Sequence, residues 1–257
     1  MIKEGSSSLV SKAGFWLRSA TGLKFRAVFS LFATFNDATG MIPSKATIAT
    51  EASAQAPTSI DQLTGLILED VGHASNPYFK ALQDGSFSFD DFVETQVQFY
   101  FVVRFFSRPL AAVAAKIPDE RLRLEILRNV WEEHGEGDLS RAHGATFREF
   151  LRRIAGIQPE ELERRALWPE ARLFDTALAG ASVLDEFIVS VSMLGMIERM
   201  FVDISGWIGR GVVARGWLAE DQMIHYDLHE ALDVKHSQDF FDVLRVRWDA
   251  DVDSRYY

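Results

Sequence analysis

The chain has no cysteine in its 257 residues, which excludes structural disulfides, thiolate metal sites, iron–sulfur ligation and any cysteine nucleophile. It also lacks a run of the roughly 18 consecutive apolar residues that a membrane-spanning helix requires. Positive charge is scarce. With a formal net charge of −10, the chain has no concentrated Lys/Arg surface for phosphate contacts, so nucleic acid is not an expected partner. Neither an internal repeat nor a convincing alternating apolar/polar run of strand length is present. What remains is 47% hydrophobic and 12% aromatic, enough to bury one substantial core without disulfides. A cytoplasmic location is expected.

Charge is unevenly spread. Residues 1–50 carry six Lys/Arg against two Asp/Glu, leaving a balance of −14 on the other 207 residues. A short apolar stretch at 27–35 follows Lys24 and Arg26, but Ser30 and Thr34 break it, and the Ala52-Ser53-Ala54 triplet lies too far downstream to serve as a cleavage point. Residues 1–57 are therefore read as an extension, flexible or loosely docked, and residues 58–257 as one helical domain.

From the Ser/Thr/Ala-rich segment 44–59 onward, apolar residues recur with a period near 3.6, so the fold class is all-α. Ser88, Asp90 and Asp91 can cap a helix over 90–115, with Phe92, Phe99, Val103 and Phe106 on one stripe. Pro118-Asp119-Glu120 opens a second helix through Leu124, Leu127 and Trp131, which stops at Gly135-Glu136-Gly137. Further helices are expected over 139–154, 182–204 and 220–246. The charged run 160–165 reads as a solvated helix face. Five to eight helices with short connections make a bundle.

The segment running from His225 to His236 carries the chemistry. On a helix, steps of four and seven residues return to one face, so His229, Asp233 and His236 project together. Such a set suits iron, manganese or zinc. The plain alternative is a polar surface stripe, against which Leu228, Leu232 and Phe240 argue by flanking the same side. Glu198 follows Phe187, Val191 and Leu194 and precedes Phe201 and Val202, which strands a carboxylate among apolar residues unless a cation or a proton accompanies it. His143 begins a stripe continued by Phe147, Phe150 and Ile154; alone it would read as a satisfied core histidine. Of the adjacent pair Glu132 and Glu133, helical phase favours Glu133, which lies about 20° from Ile126 and about 60° from Val130. Glu133, His143, Glu198, His229, Asp233 and His236 thus form a dinuclear ligand inventory that leaves positions open on two ions.

Substrate contacts are less sharply marked. Gln96, Tyr100 and Arg104 recur at four-residue spacing and could line a polar strip, with Arg104 gripping a carboxylate; an arginine paired with an acid on a neighbouring helix is the competing reading. His225, one turn before His229, reads as a group that supports a ligand or touches substrate. Tyr226 and Lys235 are read as pointing away from the ligand face, and His73 and His134 as ordinary polar residues.

Over residues 60–245 these features resemble the haem-oxygenase-like di-iron oxidases and oxygenases, fold relatives of the thiaminases and pyrroloquinoline-quinone synthases. The resemblance is carried by Asn76-Pro77-Tyr78-Phe79, by Glu133 with His143 ten residues later, by Glu198, and above all by His229-x3-Asp233-x2-His236. It implies a bundle of about seven helices and two iron ions cycling between Fe(II) and Fe(III), held by those six residues. It further implies O2 as co-substrate, a small-molecule substrate and an external electron donor such as a ferredoxin, with a homodimer among the assemblies open to it. Reactions in the family include oxidative C–C cleavage of amino-acid-like or fatty-acid substrates and N-oxygenation. Some N-oxygenating members add a carboxylate on the preceding helix, whereas this chain reads Val103-Arg104-Phe105-Phe106-Ser107 there. Thiaminase chemistry needs a cysteine, and ferritin-like sites use Glu-x-x-His, which does not occur here. The expected activity is O2-dependent oxidation of a small amino-acid-derived or carboxylate metabolite in a biosynthetic pathway. The alternatives are a cofactor-free oxidase like the quinone synthases and a non-catalytic helical binding module.

Overall fold

A computed structural model of the protein describes residues 57–250; the extension expected over 1–57 lies outside them apart from Pro57. Helix α1 (Ile60–Val71) begins where the Ser59 hydroxyl accepts from the Gln62 N–H and ends at a left-handed Gly72. Asn76 caps α2 (Pro77–Asp84) in the same way, with proline at the first position, where its missing N–H costs nothing. Ser88 accepts from the Asp91 N–H at the start of α3 (Phe89–Ala114), and Asp119 accepts from the N–H groups of Arg121 and Leu122 at the start of α4 (Glu120–Glu133). There follow α5 (His143–Ala155), the single turn α6 (Pro159–Leu162), α7 (Pro169–Leu184), α8 (Phe187–Ala214) and α9 (His225–Ala250). The described residues thus form nine helices and no strand, an all-α bundle of the haem-oxygenase-like kind. None of these helices is long and apolar enough to cross a membrane.

The long helices α8 and α9 form the most extensive pair, and α3 packs against α4, α5, α7 and α8. At Gly195 the α8 backbone comes so close to α9 that an added Cβ would sit 2.9 Å from that of Phe240. Glycine is required there by space, not by backbone angle. The main core joins Phe92, Phe99 and Phe106 of α3 to Phe147 and Phe150 of α5, Leu194 and Met200 of α8, and Phe240 of α9. A smaller cluster, Ile60, Met196, Phe241 and Trp248, fastens α1 to the far end of α8 and α9.

Several boundaries differ from the sequence expectation for identifiable reasons. Helix α5 starts at His143 rather than near 139, because Asp138 accepts from both the backbone N–H and the hydroxyl of Ser140 and holds that segment in a turn. The helix expected over 182–204 is two: Ser182 belongs to α7, and α8 runs on to Ala214, with Gly206 and Gly211 as close-approach positions inside it, not its end. Residues 220–222 form a separate 3-10 turn, which delays α9 until His225. On α4 the residues Leu124, Leu127 and Trp131 are exposed, and the inward face is Ile126, Asn129 and Glu133.

Candidate metal centre

Four helices converge on one polar cluster inside the apolar bundle. Helix α9 buries His225, His229, Asp233 and His236 along one stripe, while α8 contributes Glu198, α4 contributes Glu133, and α5 contributes His143 at its first residue. Leu228, expected to flank this stripe inside, is exposed; the burial comes instead from Tyr226, Phe240 and the facing helices.

The link between α4 and α5 brings Glu133 to His143. Gly135 stands at φ 66°, and a Cβ there would lie 2.7 Å from the Ala142 N, so the chain folds tightly back on itself and Glu133 Oε2 meets His143 Nδ1. That contact returns the chain over the ten residues that separate the two in sequence.

Two groups each have their ligand atoms within 4.8 Å of one another: His143, His225 and His229, and Glu198, Asp233 and His236; Glu133 is in neither and meets the first through His143 Nδ1. In the first, the rings of His143 and His229 stack with centroids 3.8 Å apart, and the His225 ring lies 4.6 Å from that of His229. Asp233 joins the two groups: its Oδ1 accepts from His229 Nδ1 at 3.2 Å and stands 3.9 Å from His236 Nδ1. His236 is turned by Glu132, whose Oε2 lies 2.8 Å from Nε2. Its other nitrogen therefore faces Glu198, 3.8 Å away and beyond hydrogen-bond reach.

Charge is poorly balanced without a cation. Burial, with Glu198 close by, pushes the Asp233 carboxyl well above its usual range, and burial likewise raises Glu133. Burial holds His143 down to about 3, and burial together with neighbouring imidazoles keeps His225 and His229 well below theirs. Burial acts to lower His236 too, but the carboxylates of Glu198, Glu132 and Glu133 outweigh it and lift the ring to about 10. Neutral imidazoles with free lone pairs beside crowded carboxyls are the donor set that a divalent cation satisfies. Two buried atoms support that fit: His236 Nδ1 and Glu198 Oε1 have no hydrogen-bond partner although they face each other's groups.

A cavity opens beside the cluster. Its walls are Phe99, Val102, Val103 and Phe106 of α3, Phe174 of α7, and Ile197 and Phe201 of α8, with Ser205 and Tyr226 as the polar atoms outside the candidate ligands. The polar strip expected from Gln96, Tyr100 and Arg104 is not gathered there. Arg104 is exposed beside Gly144, and Tyr100 is buried in the aromatic core. Gln96 is spent on two tyrosines, accepting from the Tyr226 hydroxyl and donating to Tyr78 at 2.9 Å.

Two further residues stand elsewhere than the sequence reading had them. Tyr226, read as pointing away, is buried against the cavity because α9 begins only at His225 and its first turn is covered by α5 through Phe147 and Phe150. Glu132, the member of the pair that helical phase did not favour, reaches sideways to His236. Lys235 pairs with Asp239 on the outer face, His134 is exposed, and His73 bonds to Asp203 at 3.0 Å, all away from the cluster.

In comparisons with known proteins, a family model described as an iron-containing redox enzyme matches residues 93–254, a span that contains every candidate ligand. No curated protein matches the chain.

Proposed function

From the premise that this chain belongs to the family of iron-containing redox enzymes, we propose that it is a non-haem di-iron oxidase or oxygenase that uses O2 to oxidise a small amino-acid-derived or carboxylate metabolite. Membership makes it an oxidoreductase; the two-ion centre, the O2 dependence and the substrate are this proposal. The observation that carries it is the pair of ligand groups joined through Asp233, with His236 Nδ1 and Glu198 Oε1 unsatisfied within the second.

Iron bound by Glu133, His143, Glu198, His229, Asp233 and His236 would supply the one-electron redox chemistry that O2 reduction needs. The protein's own groups do the rest. Glu132 holds His236 by Nε2, presenting Nδ1 to the carboxylates, and the contact from Asp233 fixes the tautomer of His229. The phenylalanines at 99, 106, 174 and 201 exclude water from the reacting side. A substrate lying here keeps its polar head toward the cluster and an apolar body along α3 and α8, since Arg104 does not reach the cavity to bind a carboxylate. Ser205 is the side chain placed to orient a polar substituent. Oxidative C–C cleavage and N-oxygenation both fit this arrangement. An external donor such as a ferredoxin would return the electrons, and a cytoplasmic setting belongs to the same reading.

The test is anaerobic loading with Fe(II) followed by metal analysis of wild type, Asp233→Ala and Glu198→Ala. About two irons per chain in wild type and a loss in both variants, with O2 consumed by the reduced protein, is the expected result. Failure of the wild type to hold iron would favour a cofactor-free oxidase or a binding module.

A further inference from the structure

We infer that His225 is a third imidazole ligand for the same ion as His143 and His229, so that the centre is asymmetric, with one position rich in imidazole and one built from Glu198, Asp233 and His236. The inference rests on the metal-centre reading above and adds to it a residue outside the six-ligand set.

The first argument is placement. His225, His229, Asp233 and His236 follow one another at helical steps of four, four and three, so the ligand stripe of α9 extends by a full turn to the helix's first residue. His225 is 2% exposed. Its ring lies 4.9 Å from that of His143 and 4.6 Å from that of His229, and the ligand atoms of all three lie within 4.8 Å of one another, as do those of the Glu198, Asp233 and His236 group.

The second argument is the tautomer. The Thr146 hydroxyl has a single hydrogen, and it is donated to the His143 carbonyl oxygen at 2.9 Å. The 3.0 Å contact between Thr146 Oγ1 and His225 Nδ1 therefore needs the proton to come from the ring. A neutral His225 that donates from Nδ1 keeps its lone pair on Nε2. An imidazole fixed through one nitrogen by an oxygen acceptor, with the other left basic, is how metal-binding histidines are held. Thr146 lies one turn after His143 on α5, so a single short segment would position two of the three rings.

The third argument is the alternative. A histidine kept only for packing would serve equally well as phenylalanine here, against Phe147 and Tyr226. That difference makes the inference testable by a substitution that preserves the ring stack and removes the nitrogen.

The experiment loads wild type, His225→Phe, His225→Gln and Thr146→Val with Co(II). It measures affinity by chelator competition and counts the strongly shifted, exchangeable imidazole N–H resonances of the paramagnetic protein; thermal melts of the metal-free forms check folding. The expected result is that both His225 variants lose about 100-fold in affinity for one of the two ions, since even loss of an outer partner costs about 10–100-fold. Each should also show one fewer shifted N–H resonance than wild type. Thr146→Val should keep the resonance count and lose about 10-fold in affinity, as a positioning residue would. If His225→Phe folds and binds both ions as wild type does, with no resonance lost, the inference is overturned while the metal-centre reading stands. If wild type itself binds no Co(II), the metal-centre reading fails, and this inference with it.

Discussion

The two halves of α9 bury comparable stripes by opposite means. Its first half turns His225, Tyr226, His229, Asp233 and His236 inward; its second half turns Phe240, Phe241, Val243 and Trp248. Both read as an inward face at the helical period, so burial alone does not separate a site from a core. The difference lies in what burial does to each group. The aromatic half is stabilised by leaving water, whereas the polar half is strained by it, with the Asp233 carboxyl pushed toward its neutral form and His236 Nδ1 left without a partner. The second half should therefore hold the helix whether or not metal is present, and the first should depend on it.

The comparison can be broken most forcefully at Phe240, which is fully buried and touches the glycine gap in α8. Phe240→Ala should lower the free energy of unfolding by about 3–5 kcal/mol in urea titrations, equally with and without metal. A loss seen only in the metal-bound form would mean that this half is not an independent anchor.

Removing metal comes next in size. At free metal 100-fold above its dissociation constant, chelation should withdraw about 2.7 kcal/mol of stability. Hydrogen exchange should then rise in residues 225–236 before it rises in 240–248. Uniform loosening along α9 would contradict the division drawn here.

Gly135→Ala should cost about 2 kcal/mol, because an L side chain at φ 66° is strained and its Cβ meets the Ala142 backbone. Metal affinity should fall as well, since Glu133 and His143 sit on either side of that turn. Unchanged affinity in a destabilised variant would show that the turn does not register the two residues.

The smallest expected effect is a change of sign. Burial has raised the Asp233 carboxyl above its unfolded value, so at neutral pH it opposes folding, and that opposition grows as pH rises past the unfolded value. Metal-free Asp233→Asn should melt slightly above metal-free wild type near neutral pH, yet below it once both are given metal. A lower melting point in both states would mean that Asp233 contributes to the fold without a cation.

How much of this was readable beforehand differs from residue to residue. The phase of α4 selected Glu133 for the inward face, and the spacing 229, 233, 236 put three candidate ligands on one stripe, because a single helix carries its own geometry. The same reasoning traced α4 through Leu124, Leu127 and Trp131 without showing that all three are exposed. It also missed α7, whose short apolar pattern runs straight into α8. Arg104 and Tyr226 were misjudged for the same reason in reverse: periodicity gives a direction from the helix axis, not what lies in that direction.

By itself, then, the amino-acid sequence determined the all-helical class, the exclusion of thiolate chemistry and the polar inward stripe on the last helix. These depend on residue type and on spacing within one element. Tertiary structure alone decided that His225 joins His143 and His229, that Glu132 turns His236, and that the cavity is walled by phenylalanine instead of the Gln96, Tyr100 and Arg104 strip. Each of those depends on where one helix meets another. That meeting is set by the Gly135 turn and the Gly195 contact, which no helical period records.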